Sequence, residues 1–308
     1  MNSHKTHTAG ELIRQGGGIL FRNNVVDGLP EALFEAEILM SHALKAGRAS
    51  IWSKREEIFL TEAAFKEYMG SIEKRSRQVP VAYITEEAEF MGMKFKVDGN
   101  VLIPRPETEL LAEKAIEIIK KYITEKKGAG VVKVVEPCTG SGNLAVSVAK
   151  FLSKDHRGKF SIYSSDISPE AVRIAVENAE INGVAGFVKA VTGDMYAPFE
   201  KMRFKHSVDF IISNPPYIRT AEMDSLEKDL KFEPRIALCG GRDGLDFYRK
   251  ILKRAPEFLK TGGWLIVEIG CEQGAGVKRM IGSTAGMRFK AIFKDLSHND
   301  RVIAAVKQ

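Results

Sequence analysis

Apolar residues recur at helical spacing through the N-terminal part of the chain. Leu33, Ala36, Met40 and Ala43 form one series, and Phe65, Tyr68, Met69 and Ile72 form another, so Thr8 to Gln78 reads as a small helical domain. Pro80 is expected to close it. From Glu89 to Val101 the pattern alternates loosely, and Asp98-Gly99-Asn100 supplies a turn signal, which predicts a short β-hairpin linker. Beyond it, Pro106 suits a first helical turn, and Leu111, Ala115, Ile118 and Tyr122 put an apolar stripe on the helix that follows.

The rhythm then changes. Short β-rich runs at Val131 to Val135, Phe160 to Ser164, Phe187 to Val191, Val208 to Ile212, Trp264 to Ile269, Lys290 to Phe293 and Val302 to Val306 mostly alternate with helical stretches. Such alternation predicts an α/β domain with a mostly parallel sheet, whose ligands bind at the carboxyl ends of the strands. The expected division is therefore residues 1–86 helical, 87–104 linker and 105–308 α/β domain.

Composition narrows the class. Hydrophobic residues make up 44% and charged residues 28% of 308, the balance of a globular protein. Met1 to Gly10 is polar and no apolar run approaches the ~20 residues that cross a bilayer, so a cytoplasmic location is expected. Cys138, Cys239 and Cys271 are odd in number and widely spaced, so neither a disulfide framework nor a structural zinc site is predicted. The formal charge of +6 is compatible with a nucleic-acid or ribosomal partner, but also with a plain solvated surface. The basic run Lys74-Arg75-Ser76-Arg77 reads as the solvated end of a helix.

After the first strand of the α/β domain comes Glu136-Pro137-Cys138-Thr139-Gly140-Ser141-Gly142-Asn143, a glycine-bearing turn into a helix that starts near Leu144. Glycine permits positive φ and close backbone approach, and amides at a helix start can bind a ligand. Asp166 ends the next strand, where an acid can take ribose hydroxyls. Its simpler role as a helix cap is weakened by Ser168 and Pro169, a better N-cap and first helical residue. Gly193-Asp194-Met195 follows a further strand and offers a carboxylate for an adenine amino group. Together these describe an adenosine site without separating S-adenosylmethionine from NAD. Glu136 beside the loop suits a ligand with a cationic amino group better than a pyrophosphate.

Asn214-Pro215-Pro216-Tyr217, directly after the strand Val208 to Ser213, decides for methyl transfer. An amide or base amine is a poor nucleophile because its lone pair is delocalised. The Asn214 oxygen and a backbone carbonyl can each accept one N–H of a target NH₂ and aim its lone pair at a sulfonium methyl. Pro215 and Pro216 stiffen the loop and remove competing N–H donors, and Tyr217 can stack on the planar target. No metal is expected.

At these residues the chain resembles the HemK/PrmC family of N5-glutamine methyltransferases. The resemblance runs through Gln78 to Ile84, Glu89-Phe90, Leu102-Ile103-Pro104-Arg105-Pro106-Glu107-Thr108-Glu109, Asn214 to Ile218, Phe232-Glu233-Pro234, Gly241 to Tyr248 and Asn299 to Val302. It implies a Rossmann-like class I methyltransferase domain, a hairpin linker and a helical N-terminal domain that docks the protein substrate. That substrate would be a peptide-chain release factor carrying a Gly-Gly-Gln tip, which leaves association with the ribosome possible. The implied cofactor set is Glu136, Thr139, Gly140, Gly142, Asp166, Ile167, Asp194, Met195 and Asn214, around S-adenosylmethionine. Asn214 and the Pro215 carbonyl would hold the glutamine amide, with Pro216 and Tyr217 beside it. Glu136 and Cys138 depart from the family pattern, where an acid of different length and a glycine are usual. Arg105 and Glu268 also match, either to steer substrate or to pair with each other, whereas Asn299-Asp300-Arg301 reads as a hairpin turn.

Three other readings compete. A ribosomal-protein glutamine methyltransferase would share every motif. A DNA or RNA methyltransferase acting on adenine N6 or guanine N2 should carry a basic, aromatic target-recognition region, and none is evident. A non-catalytic adenosyl-binding module would not need Asn214-Pro215-Pro216-Tyr217.

Overall fold

The structure is a computed structural model that describes residues 7–125, 130–226 and 228–308. The chain forms two compact units, one of residues 7–86 with 228–232, the other of residues 87–226 with 233–308. The first holds helices α1 (Ala9–Arg22), α2 (Leu29–Leu44), α3 (Arg48–Lys54), α4 (Glu62–Ser76) and α5 (Val81–Thr85). Thr8 and Glu11 exchange side-chain and backbone hydrogen bonds in a capping box that starts α1. Leu12, Leu20, Ala36, Leu39, Met40, Tyr68 and Ile72 make the core, and the buried Tyr68 hydroxyl is satisfied by donating to the Leu12 carbonyl at 3.0 Å.

Two expectations for this unit are corrected. Pro80 does not close the helical region. The chain turns at Gln78, whose φ is +71°, and Pro80 then heads α5. Nor does Arg75 belong to a solvated helix end, because it is 3% exposed. Its guanidinium donates to Glu35 at 2.8 and 3.0 Å and to Asp229 at 3.0 and 3.1 Å. A buried arginine persists only with such partners, and these lie too far away in sequence to be read from a local run.

The second unit opens with the antiparallel hairpin of β1 (Glu87–Phe90) and β2 (Met93–Lys96). Its turn is Met91-Gly92, both at positive φ, 51° and 69°, the backbone that fits strand twist. Methionine is no turn former, so the sequence pointed instead to Asp98-Gly99-Asn100. That turn exists, closed by the Asn100 N–H on Asp98 at 2.8 Å, but follows the hairpin.

Helix α6 (Pro106–Glu125) precedes the alternating elements β3 (Val132–Pro137), α7 (Asn143–Ser153), β4 (Phe160–Asp166), α8 (Pro169–Ile181), β5 (Val188–Thr192), α9 (Ala197–Lys201), β6 (Val208–Ser213), α10 (Arg235–Leu238), α11 (Asp246–Phe258), β7 (Leu259–Glu268), α12 (Gly274–Gly282), β8 (Met287–Lys294) and β9 (Asp300–Lys307). The sheet order is β5-β4-β3-β6-β7-β9-β8, parallel except for β9. This is the Rossmann-like α/β architecture. Every residue of β6 is buried, as a strand covered on both faces demands. Successive strands run outward from β3 to β5 and then restart on its other side with β6, so the carboxyl ends of β3 and β6 flank a switch point where such sheets bind ligands.

The expected turn at Asn299-Asp300-Arg301 falls earlier. The Asp295 carboxylate accepts from the Ser297 and Asn299 N–H groups at 3.0 and 2.9 Å, and Asp300 and Arg301 already belong to β9. Among the described residues no helix is long and apolar enough to cross a membrane, and no group of three or more His, Cys, Asp or Glu side chains is placed to hold a metal ion.

Candidate active site

The carboxyl ends of β3, β4, β5 and β6 open onto a cavity of about 220 Å³. The turn from β3 to α7 forms one wall. Cys138, Gly140 and Gly142 take positive φ, at 62°, 54° and 77°. Gly140 has no heavy atom within 4 Å of where a β-carbon would stand, so its face toward the cavity is open. Gly142 is packed instead: an added β-carbon would sit 2.9 Å from the Ala175 β-carbon on α8. Cys138 adopts at non-glycine cost the left-handed backbone that a glycine would take freely.

Hydrogen bonds brace these loops against one another. The Asp166 carboxylate accepts from the Gly140 N–H at 2.9 Å and from the Ser168 N–H at 3.0 Å. The Ser165 hydroxyl donates to the Met195 carbonyl at 2.7 Å, and Ser213 donates to the Pro137 carbonyl at 2.8 Å. Ser168 caps α8 through the Ala171 N–H and Pro169 follows it, as expected. The Asp166 carboxylate is thus held in place by two backbone N–H groups of the loops it joins.

Electrostatics favour a cationic guest. Glu136, 1% exposed, accepts the Thr139 hydroxyl at 2.6 Å. Burial, aided by the Asp166 charge, pushes its carboxyl up to about 8. Asp166 and Asp194 add two further lining acids. Of the lining cations, Arg105 is engaged by Glu233, which also accepts the Ile103 N–H at 3.1 Å, leaving Lys250 on α11. The open Gly140 face and this acid excess fit S-adenosylmethionine, whose sulfonium and amino groups are positive. Cys138 touches Met195 at 3.4 Å between sulfurs, and burial with the neighbouring carboxylates pushes its thiol up, away from a nucleophile's form.

Asn214 stands at the end of β6 with its Nδ2 atom 3.0 Å from the Thr108 hydroxyl of α6. It lines the cavity with Pro216. Tyr217, the next residue, is not among the lining residues, and its hydroxyl donates to Glu268 at 3.2 Å. Behind it, Gln273 donates to the Tyr217 and Gly244 carbonyls at 3.0 and 3.2 Å and accepts from the Tyr248 hydroxyl at 3.2 Å. The loop backbone is held from the rear by side chains it does not itself supply.

Of the residues singled out from sequence, Glu136, Thr139, Gly140, Asp166, Ile167, Asp194, Met195, Asn214 and Pro216 line one cavity. Gly142, Pro215 and Tyr217 lie outside that lining. Several contributors went unread. Thr108, Phe247 and Lys250 line the cavity, and the buried Asn178 binds both backbone groups of Lys96 and the Ser141 carbonyl, at 2.6, 2.9 and 2.8 Å. A buried polar residue in mid-helix was the available signal for Asn178.

The family model described as N-6 DNA Methylase matches residues 88–255, and that of the PrmC N-terminal domain matches residues 25–85. The release factor glutamine methyltransferase of Clostridium acetobutylicum is 38% identical over 275 residues, covering 89% of this chain and 90% of the relative. Its counterpart from Moorella thermoacetica is 34% identical over 296 residues, 96% and 99% of the two chains. Among solved structures, the hMettl16 catalytic domain in complex with MAT2A 3'UTR hairpin 6 aligns with a TM-score of 0.51 at 15% identity, over 74% of this chain and 80% of that one, a likeness of fold.

Proposed function

The chain belongs to the release factor glutamine methyltransferase family, and on that premise we propose that it methylates the side-chain amide nitrogen of a glutamine in a peptide-chain release factor. The observation that carries the reading is the placement of Asn214, on the cavity wall at the end of β6 with its NH₂ group committed to Thr108. Its oxygen is then the atom left for an acceptor N–H. With the Pro215 carbonyl it would hold both hydrogens of a primary amide and direct the nitrogen lone pair. S-adenosylmethionine supplies an electrophilic methyl group.

Glu136, Thr139, Gly140, Asp166, Ile167, Asp194 and Met195 are the residues that would hold the cofactor, with Gly142 fixing the turn they depend on. Tyr217, anchored through Glu268, is the ring against which the acceptor would rest, excluding water. No strong base is required, because the methylated nitrogen sheds an acidic proton readily to water or a carbonyl. This reading puts the work in the cytoplasm, where release factors act, and in the company of the ribosome.

The test is to incubate the protein and labelled cofactor with a release factor, its Gly-Gly-Ala variant, a ribosomal-protein mixture, and duplex or single-stranded DNA. Label on the wild-type release factor alone is expected. Label on DNA, on ribosomal protein or equally on the variant would overturn the assignment.

A further inference from the structure

An asparagine amide has two ends of nearly equal shape, one accepting and one donating, and a half-turn exchanges them at almost no steric cost. A residue that must show its oxygen to an acceptor NH₂ therefore needs something to fix its sense. Asn214 meets one side chain there, Thr108, at 3.0 Å. A hydroxyl has a single proton. Thr108 either spends it elsewhere and accepts from Asn214, or gives it to Asn214 and holds the amide the wrong way round.

The next group decides. Glu268, at the end of β7 and 1% exposed, accepts the Tyr217 hydroxyl at 3.2 Å. Thr108 favours the charged form of the same carboxyl, whose Oε2 is buried with no hydrogen-bond partner among the described residues. A carboxylate can only accept. Its charge favours a Thr108 hydroxyl whose proton points toward the carboxyl, which leaves the Thr108 lone pair to accept from Asn214 Nδ2, the contact found at 3.0 Å.

We propose that Glu268 and Thr108 are positioning residues that set the sense of the Asn214 amide, so that its oxygen and not its NH₂ meets the acceptor glutamine. The inference rests on the reading that Asn214 holds the acceptor. Arg105, the partner considered for Glu268 from sequence, is engaged by Glu233 instead.

The arrangement is sensitive to proton uptake. Burial is the largest influence on Glu268 and pushes it up to about 7. Arg301 on β9, Thr108 and Tyr217 oppose that shift, and Glu107 on α6 reinforces it. Tyr248 on α11 donates to the Glu268 backbone carbonyl at 3.0 Å. Once protonated, Glu268 is itself a donor, Thr108 is released to give its proton to Asn214, and the amide can invert. Turnover should fall as pH drops through about 7.

The experiment compares Thr108→Val, Thr108→Ser and Glu268→Gln with the unaltered protein, reading kcat on a release factor at saturating cofactor, calorimetric affinity for S-adenosylhomocysteine, and thermal melting. Thr108→Val should lose about tenfold to a hundredfold in kcat, below the cost of deleting a directly contacting donor, with cofactor affinity and melting near the original. Thr108→Ser should regain most of the rate, and the acid limb of the kcat profile should vanish in a uniformly slow Glu268→Gln. Full rate in Thr108→Val, no rescue by serine, or an acid limb that persists in Glu268→Gln overturns the proposal. Asn214→Ala runs alongside: if it stays active, the acceptor reading falls and takes this inference with it, whereas a slow Asn214→Ala beside a fast Thr108→Val removes this inference alone.

Discussion

Gly142 and Ala175 stand so close that a β-carbon on the glycine would fall 3.0 Å from the alanine's own Cα. The contact locks the turn after β3 onto α8, and the φ of +77° at Gly142 adds a second reason for glycine. Gly142→Ala must displace α8 and adopt a left-handed backbone, each costing about 1 to 3 kcal/mol. A lowered melting temperature together with weaker cofactor binding by calorimetry is the expected result. Weakened binding at unchanged melting would mean that Gly142 touches the cofactor and is not a packing residue.

Asp166 does two things at once. Besides facing the cavity it accepts two backbone N–H groups, from Gly140 and Ser168. Asp166→Ala should therefore cost roughly 1.5 to 3 kcal/mol in cofactor affinity, the scale of hydrogen bonds to a charged group, and should also lower thermal stability. Titration calorimetry and melting curves separate the two effects, and an unchanged affinity removes Asp166 from the cofactor site.

Glu136 makes stability depend on pH in a defined direction. Its carboxyl is raised to about 8 in the folded chain from an ordinary value of 4.5, so between those limits the folded state holds a proton that the unfolded state has lost. The stabilisation is complete below about 4.5 and fades as pH rises toward 8. Glu136→Gln should flatten that decline in urea unfolding measured from pH 5 to 8. A decline of equal slope in the variant would assign the effect elsewhere.

The three thiols should separate by reactivity. Burial raises Cys138, whereas the Thr220 hydroxyl lowers Cys239, and Cys271 is exposed. Iodoacetamide followed by peptide mass mapping should label Cys239 and Cys271 first and Cys138, half-buried on the cavity wall with a raised thiol, last. Labelling of Cys138 ahead of the other two would contradict its raised thiol.

What the sequence revealed was whatever short-range pattern encodes. The β-rich runs at Val208 and Val302 lie in strands because a doubly covered strand must be apolar along its length, and the Asn214 and Asp166 motifs sit at strand ends because that is where the backbone stops pairing. The contacts that orient those motifs were hidden, since Thr108 and Asn214 are 106 residues apart and Arg75 and Asp229 are 154 apart. No window spans such pairs. The Met91-Gly92 turn was missed for a local reason, a side chain that gives no turn signal in a backbone that register alone demands.

The association of residues 228–232 with the N-terminal helices also has a meaning in time. A chain folds from its first-made end as it is synthesised, and helices α1 to α5 exist long before Asp229 has been added. Until then the guanidinium of Arg75 has Glu35 for company but lacks its second carboxylate. The earliest-made helical bundle is thus finished only by a late-made segment, and its full stability arrives together with the stretch that leads into α10, whose Ile236 and Ala237 line the cavity.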